Sequence, residues 1–164
     1  MTTKASAELY KAVDNSAITP ISLTHITTYQ SGVVQSAAHR ALKRVVDAAL
    51  KPHHLTMMQW LLIGTVYEAG LPGMRMTDLA NRLGTTLPYA TTTVKALEQK
   101  AILQRSSGGT DSRSRIVALN PEYAPKMTVI EKDLRQYMRE SIYAKVTPEE
   151  LRVYIGVLYK LASV

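Results

Sequence analysis

Hydrophobic residues recur every three to four positions in long stretches at both ends of the chain, and this spacing predicts amphipathic helices. The first helix is predicted over residues 24–50 and would be about 40 Å long at 1.5 Å per residue. A small domain cannot cover a helix of that length alone. Its apolar positions are Ile26, Val33, Val34, Ala37, Ala41, Leu42, Val45, Val46 and Ala49.

Two more helices are predicted after residue 121. The apolar positions of the first are Met127, Ile130, Leu134, Tyr137, Met138 and Ile142. The last helix begins at residues 147–150, a Thr-Pro-Glu-Glu sequence typical of a capping box. Its apolar positions are Leu151, Tyr154, Ile155, Leu158 and Leu161. The terminal stripes can bury one another within one chain or across a twofold axis, and we favour the twofold axis over a monomer with an unusually helical core.

The central segment, residues 77–120, predicts a helix, a tight turn, a second helix and a two-stranded hairpin. Thr77 is a candidate N-cap of the first helix, and Gly84 can adopt the left-handed conformation that ends it. Thr86 is a candidate cap of the second helix, where Pro88 fits the first turn. Two helices separated by about three residues are typical of a helix-turn-helix.

The second helix has one apolar and one polar face. The apolar positions are Ala90, Val94 and Leu97. The outward positions are Tyr89, Thr92 and Lys95. These outward groups can contact base edges, thymine methyl groups and phosphates in a major groove. An ordinary solvent-exposed helix could have the same pattern.

The hairpin after this helix favours nucleic-acid binding. Strands are predicted over residues 102–106 and 115–119, with a glycine-containing turn at 107–110. Arg113 and Arg115 follow that turn, and guanidinium groups suit phosphates and a narrow minor groove. Asp111 would be repelled by DNA, so we expect it to orient Arg113 through an ion pair.

The order and spacing of several residue groups resemble the MarR-type winged helix-turn-helix transcription regulators. The matching positions are Leu55-Thr56, Gln59-Trp60, Leu79, Ala80, Leu83, Gly84, Thr86 through Glu98, Ile102, Asp111-Ser112-Arg113 and Val117-Ala118-Leu119. The likeness extends over roughly residues 23–164. It implies a mainly α fold with a small β-wing, in which a winged helix-turn-helix DNA-binding lobe joins a helical dimerisation lobe.

The resemblance also implies a domain organisation and a function. Residues 1–22 would be a flexible leader, and residues 23–164 a single domain. Within it, 55–120 would form the winged helix, and 23–50 with 121–164 the dimerisation region. The expected function is a homodimeric transcription regulator, a repressor that binds a pseudo-palindromic double-stranded operator and is released by a small-molecule effector. Repression and activation both occur in the family.

Site residues are carried over from the resemblance by position. The base and phosphate readers would be Thr86, Pro88, Tyr89, Thr92 and Lys95, with Arg113 in the wing and Arg115 beside it. Two positions depart from the family pattern. Thr92 stands where many relatives have an arginine, which favours readout by DNA shape. Asn120-Pro121 replaces the usual threonine after the wing strand, which changes the start of the next helix.

Candidate effector-binding residues lie near the regions that border effector pockets in similar proteins. They are His39, His54, Trp60 and Arg75. They form no constellation from which a ligand could be deduced. His53 and His54 beside Pro52 could contribute to a metal site, but spacing supplies no further converging ligands, and we predict no metal and no cofactor. Trp60 on an apolar helix is also a natural core residue.

Charge and composition support a polyanionic partner. A chain of 164 residues is long enough to bury roughly 70% of its unfolded surface on folding. Its net charge is +7. Residues 75–115 contain seven basic and three acidic residues, whereas residues 121–164 contain seven and six. Positive charge is therefore concentrated in the central segment. The chain has no cysteine, and its start lacks a signal-peptide pattern, so we expect a cytoplasmic protein that does not enter a membrane.

Two other classes compete with a DNA-binding regulator. An enzyme is disfavoured because no phosphate loop, Ser-His-Asp order, paired apolar carboxylates or HExxH motif occurs. A helical dimeric interaction module that keeps the fold without specific DNA binding is harder to exclude, since the second helix of the motif is poor in arginine.

Overall fold

The computed structural model describes residues 26–107 and 115–163. Asp111 and Arg113 lie outside the described residues, as does the predicted leader. The helices are α1 (Thr28–Leu50), α2 (Met57–Ala69), α3 (Met76–Arg82), α4 (Leu87–Gln99), α5 (Ala124–Glu140) and α6 (Pro148–Ala162). The strands are β1 (Met74–Arg75), β2 (Leu103–Ser107) and β3 (Arg115–Leu119). Short 3-10 turns occupy Lys51–His53, Pro121–Tyr123 and Ile142–Lys145. The predicted mainly α fold with a small β-wing is confirmed.

The chain divides into two compact units. The central unit comprises residues 50–133, and the terminal unit comprises the described residues of the two ends, 26–49 and 134–163. The sheet of the central unit has the order β1-β3-β2, and both pairings are antiparallel. Val117 at the centre of β3 faces Met74 on one side and Arg105 on the other, and it is fully buried.

The core of the central unit is formed by apolar side chains from its helices and from β2 and β3. The fully buried members of largest volume are Leu50, Leu62, Ile63, Leu79, Leu97, Val66, Val94 and Val117. Burial of a large aliphatic side chain contributes about 1.5–3 kcal/mol each. This core fixes the helix-turn-helix against the sheet.

The helix ends of the central unit follow from local chemistry, with one correction. Thr56 and Gln59 form a capping box at the start of α2. Gly84 has a φ of +59° after α3, as predicted. The predicted Thr77 cap is wrong. The structure has Arg75 at the N-cap without a side-chain hydrogen bond, because β1 leads directly into α3 and Met76 is already helical and buried.

Strand positions agree with the sequence pattern in part. The predicted strand 115–119 coincides with β3, whereas β2 begins one residue later than predicted and includes Ser107. The two-residue strand β1 was not predicted. Such a short strand has no measurable alternation of its own and exists because β3 offers it a partner.

The terminal unit contains few buried side chains. Among its described residues only Val45, Val46 and Leu134 are buried, and none of those in α6 is. The predicted capping box at Thr147 and Glu150 is confirmed. Hydrogen bonds from the Thr147 backbone and side chain lower the pKa of the Glu150 carboxyl, so this cap weakens only at acidic pH. No helix in the described ranges is long and apolar enough to cross a membrane.

The close approach of Gly73 to β3 generates a prediction about stability. Gly73 has a φ of +103°, and an added Cβ would collide with the carbonyl oxygen of Val117. Gly73→Ala should therefore destabilise the protein by about 2 to 4 kcal/mol, through backbone strain and loss of the β1–β3 pairing. Urea unfolding followed by circular dichroism measures this change.

Gly64→Ala is the matched control. Gly64 lies within α2, and a Cβ there would meet nothing within 4 Å. The control should leave stability unchanged or raise it by up to about 1 kcal/mol, because alanine is the better helix former. Equal stability of both variants would contradict a structural role for the Gly73 approach.

Candidate nucleic-acid interface

The orientation of α4 is set by its buried stripe. Ala90, Val94 and Leu97 are fully buried, as their spacing predicted. At the N-terminus the Thr86 side chain accepts a hydrogen bond from the Tyr89 amide at 3.4 Å. Pro88 lies in the first turn, where its missing amide costs no hydrogen bond. The cap and the buried stripe together determine which face of α4 is exposed to solvent.

The face opposite this stripe is open. Tyr89 is 49% exposed, and Thr92 and Lys95 are also exposed. The outward orientation predicted for these three side chains is confirmed. Thr86 and Pro88 are exposed at the same end of the helix. Together they form a polar and aromatic surface suited to a groove and its flanking phosphates.

The threonines of α4 use their hydroxyl hydrogens inside the helix. Thr91, Thr92 and Thr93 donate to the carbonyls four residues earlier, at 2.8, 3.0 and 2.9 Å. Thr92 therefore presents a methyl group and acceptor lone pairs to solvent, since its one donor is occupied. Such a side chain suits a thymine methyl or a base amino group better than a base acceptor.

The wing is described only near its base. β2 and β3 pair from Leu103↔Leu119 to Ser107↔Arg115, and Arg115 is exposed at the far end of β3. The proposed ion pair between Asp111 and Arg113 falls in the segment outside the described residues.

An ion pair that the sequence patterns did not reveal joins α4 to the wing. The Arg105 guanidinium on β2 binds the Glu98 carboxylate on α4 at two points, Nε to Oε1 at 2.8 Å and Nη2 to Oε2 at 2.5 Å. The two side chains are only 21% and 23% exposed. A two-point contact of a planar guanidinium fixes direction as well as distance. The signal available in the sequence was a glutamate in the last turn of one predicted helix and an arginine in the next predicted strand.

Asn120 closes the other end of the hairpin. Its side-chain amide donates to the Ala101 carbonyl at 3.0 Å, and its side-chain oxygen accepts from the Glu122 amide at 3.1 Å. Ala101 has a φ of +54° in the turn between α4 and β2. Asn120, one of the two positions that depart from the family pattern, thus caps the 3-10 turn before α5. It also holds the turn after α4.

The candidate effector residues are not brought together within the central unit. His54 lines an open cleft there, but Trp60 is buried and Arg75 is exposed at the start of α3, and neither lines that cleft. His39 is exposed on α1 in the terminal unit. His53 lies 3.8 Å from an Asp133 carboxylate oxygen. Within the described ranges no three His, Asp or Glu side chains form a group that could hold a metal.

Comparisons with known proteins agree with this architecture. Residues 55–114 match the model of the MarR family. The fold is shared with AbsC, a MarR family transcriptional regulator from Streptomyces coelicolor, at 19% identity and a TM-score of 0.71, covering 85% of this chain and 95% of AbsC.

Two solved DNA complexes also share the fold. A mutant MarR from E. coli in complex with operator DNA has 18% identity and a TM-score of 0.71, covering 79% of this chain and 91% of MarR. The S. aureus MepR–DNA complex has 21% identity and a TM-score of 0.65, covering 85% and 98% of the respective chains. The resemblance inferred from the sequence is confirmed.

The Glu98–Arg105 contact predicts a measurable coupling energy. A double-mutant cycle with Glu98→Gln and Arg105→Gln should give a coupling energy of about 1 to 2 kcal/mol in urea unfolding, because the ion pair is bidentate and mostly shielded from water.

The exposed pair of Arg82 and Glu68, at 3.1 Å, is the matched control, with side chains 58% and 68% exposed. Its cycle should give about 0 to 0.5 kcal/mol. Equal coupling in both cycles would mean that Glu98–Arg105 does not hold the wing base to α4.

Proposed function

Because residues 55–114 match the MarR family and the chain shares the fold of MarR regulators, we propose that it is a sequence-specific transcription regulator of double-stranded DNA. It acts as a repressor, binds a pseudo-palindromic operator as a homodimer, and catalyses no reaction. The observation that best supports this proposal is the orientation of α4. Its apolar stripe is fully buried, and Tyr89, Thr92 and Lys95 on the opposite face are exposed to solvent.

Exposed positive charge and the shared fold support DNA as the partner. Arg75, Lys95, Lys100 and Arg115 are exposed in the central unit, whereas Arg105 is neutralised by Glu98. Exposed cations near a groove-sized helix attract phosphates and steer association. The DNA-bound neighbours MarR and MepR have the same fold, which supports insertion of α4 into a major groove.

The terminal unit supports the homodimer. In α6 the apolar residues point in most directions around the helix, and none is buried. The exposed large side chains are Val153, Tyr154, Ile155, Val157, Leu158, Tyr159 and Leu161. An apolar face this wide is normally buried against another helix or a partner chain. A second copy of the chain would bury it and would place two α4 helices on one face of DNA about one helical turn apart.

We propose that a small-molecule effector releases the regulator from its operator. His39, His54, Trp60 and Arg75 remain the candidates carried by the resemblance, and the exposed His54 is the one that lines an open cleft. We place the regulator in the cytoplasm, where it meets DNA.

Selection of bound sequences from a random double-stranded pool tests the proposal directly. We expect a palindromic consensus with half-sites about 10 base pairs apart, and a dimer by sedimentation at micromolar concentration. Ile155→Asp should produce a monomer with at least tenfold weaker operator binding.

Arg152→Asp, at an exposed polar position of the same helix, is the control and should remain a dimer. No enriched sequence from a folded dimer would favour the interaction-module alternative. A monomeric wild-type protein would overturn the twofold arrangement.

Residues that contact bases and residues that contact phosphates should affect DNA binding in different ways. Thr92→Ala and Tyr89→Ala should reduce the ratio of operator to random-DNA affinity about tenfold. Arg113→Ala should weaken operator binding by on the order of 1 to 3 kcal/mol and lower the salt slope by about 1. Fluorescence anisotropy at several salt concentrations measures both effects.

Thr65→Ala is the control for the threonine, since Thr65 on α2 makes the same hydroxyl bond to a carbonyl four residues earlier, at 2.8 Å. It should bind like the wild type. If operator and random DNA lose affinity equally in Thr92→Ala, the side chain does not read bases. Full affinity and salt slope in Arg113→Ala would remove the wing from the interface.

A further inference from the structure

The first two turns of α4 lack the side chains that usually read bases by hydrogen bonding. From Thr86 to Lys95 the chain contains no arginine, asparagine, glutamine, aspartate or glutamate. Arginine and the two amides pair with purines, and acidic side chains accept a hydrogen bond from cytosine. The side-chain donors of this segment are the Lys95 ammonium and several hydroxyl groups. The face that would enter a major groove is therefore poor in donors.

Three of these hydroxyl groups are already used inside the helix. Thr91, Thr92 and Thr93 each donate to the carbonyl four residues earlier. Of the three, Thr93 is buried and Thr91 is half-buried, whereas Thr92 is exposed. A hydroxyl has one hydrogen, so Thr92 cannot donate to a base acceptor without losing its bond within α4. The group that Thr92 offers a base is its methyl group.

Apolar side chains lie next to Thr92 on the exposed face. Pro88 precedes it by four positions and Tyr89 by three, and these spacings place side chains next to one another on a helix. Pro88 is exposed. Tyr89 is 49% exposed, and Leu87 at the start of the helix is 43% exposed. Residues at this end of a recognition helix are the ones that contact base edges.

We propose that this face selects thymine in the operator through the C5-methyl group, with Thr92 in contact with that methyl and Pro88 and Tyr89 enclosing it. Among the four DNA bases only thymine carries a methyl group in the major groove. Contact between two methyl groups removes apolar surface from water and breaks no hydrogen bond. This inference rests on the proposed DNA-binding function and names the chemical group that the helix recognises.

The other bases fit the Thr92 methyl group less well. A purine presents its N7 acceptor to the groove, and burying that acceptor against a methyl group would cost its hydrogen bond to water. Cytosine has an amino group that the Thr92 lone pairs could accept, but it has no methyl group to bury. 5-Methylcytosine restores the methyl group and should therefore bind more tightly than cytosine at the same position.

Base analogues that differ by one methyl group test the inference. The probe is the operator duplex recovered by selection from the random pool, with each thymine replaced in turn by deoxyuridine. At the contacted position the replacement should weaken binding about fourfold in one half-site and about 15-fold in both, as expected for one buried methyl group each. A cytosine at that position should gain about fourfold when it is methylated at C5. Fluorescence anisotropy measures these affinities.

Two substitutions of Thr92 separate its methyl group from its hydroxyl. Thr92→Ser keeps the hydroxyl and should lose most of the discrimination between thymine and uracil. Thr92→Val keeps the methyl group and should discriminate at least as well as the wild type. Lys95→Gln is the control for phosphate contacts. It should weaken binding to the thymine and uracil duplexes equally and leave their ratio unchanged.

Two results would overturn the inference and leave the proposed function standing. One is an operator in which no thymine differs from uracil, and the other is a Thr92→Ser variant that discriminates like the wild type. Either result would mean that α4 does not recognise the methyl group through Thr92. Failure to select any operator would instead overturn the proposed function, and this inference with it.

Discussion

The buried stripe of α4 is the constraint on which the rest of the structure depends. Ala90, Val94 and Leu97 are fully buried, and their burial determines which side chains can meet a partner. A rotation of α4 by one residue, about 100°, would bring a threonine or a lysine into the core and leave an apolar residue outside. Core packing therefore positions the candidate interface.

The sheet extends this constraint to the wing. β3 is buried at Val117 and pairs with strands on both sides, and Arg105 on β2 binds Glu98 on α4. The base of the hairpin is thus tied to the helix by a directional contact in addition to hydrophobic packing. The base of the wing therefore keeps a defined distance from α4, which the proposed contact of helix and wing with adjacent DNA grooves requires.

The sequence predicts most of the helices and one face of α4 because these depend on local periodicity and caps. Ala90, Val94 and Leu97 follow from spacing alone, and the capping box at Thr147 and Glu150 from four consecutive residues. β1 could not be predicted, since its two residues become a strand only through pairing with β3. Thr77 failed as a cap for a related reason. Because β1 pairs with β3 and ends at Arg75, α3 begins at Met76. Thr77 therefore lies inside the helix and cannot cap it, although it is a good capping residue.

Charge shows the limit of sequence reasoning about sites most clearly. A count of basic residues in the sequence gives Arg105, Lys100 and Lys95 the same weight. Their surroundings in the fold give each of them a different role. Arg105 is bound to a carboxylate and is shielded from solvent, so it positions the wing. Lys100 is held by a backbone carbonyl, which orients its ammonium without neutralising it, and Lys95 is exposed on the face of α4. A cation's role is determined by the charge of its nearest partner, and only the fold reveals that partner.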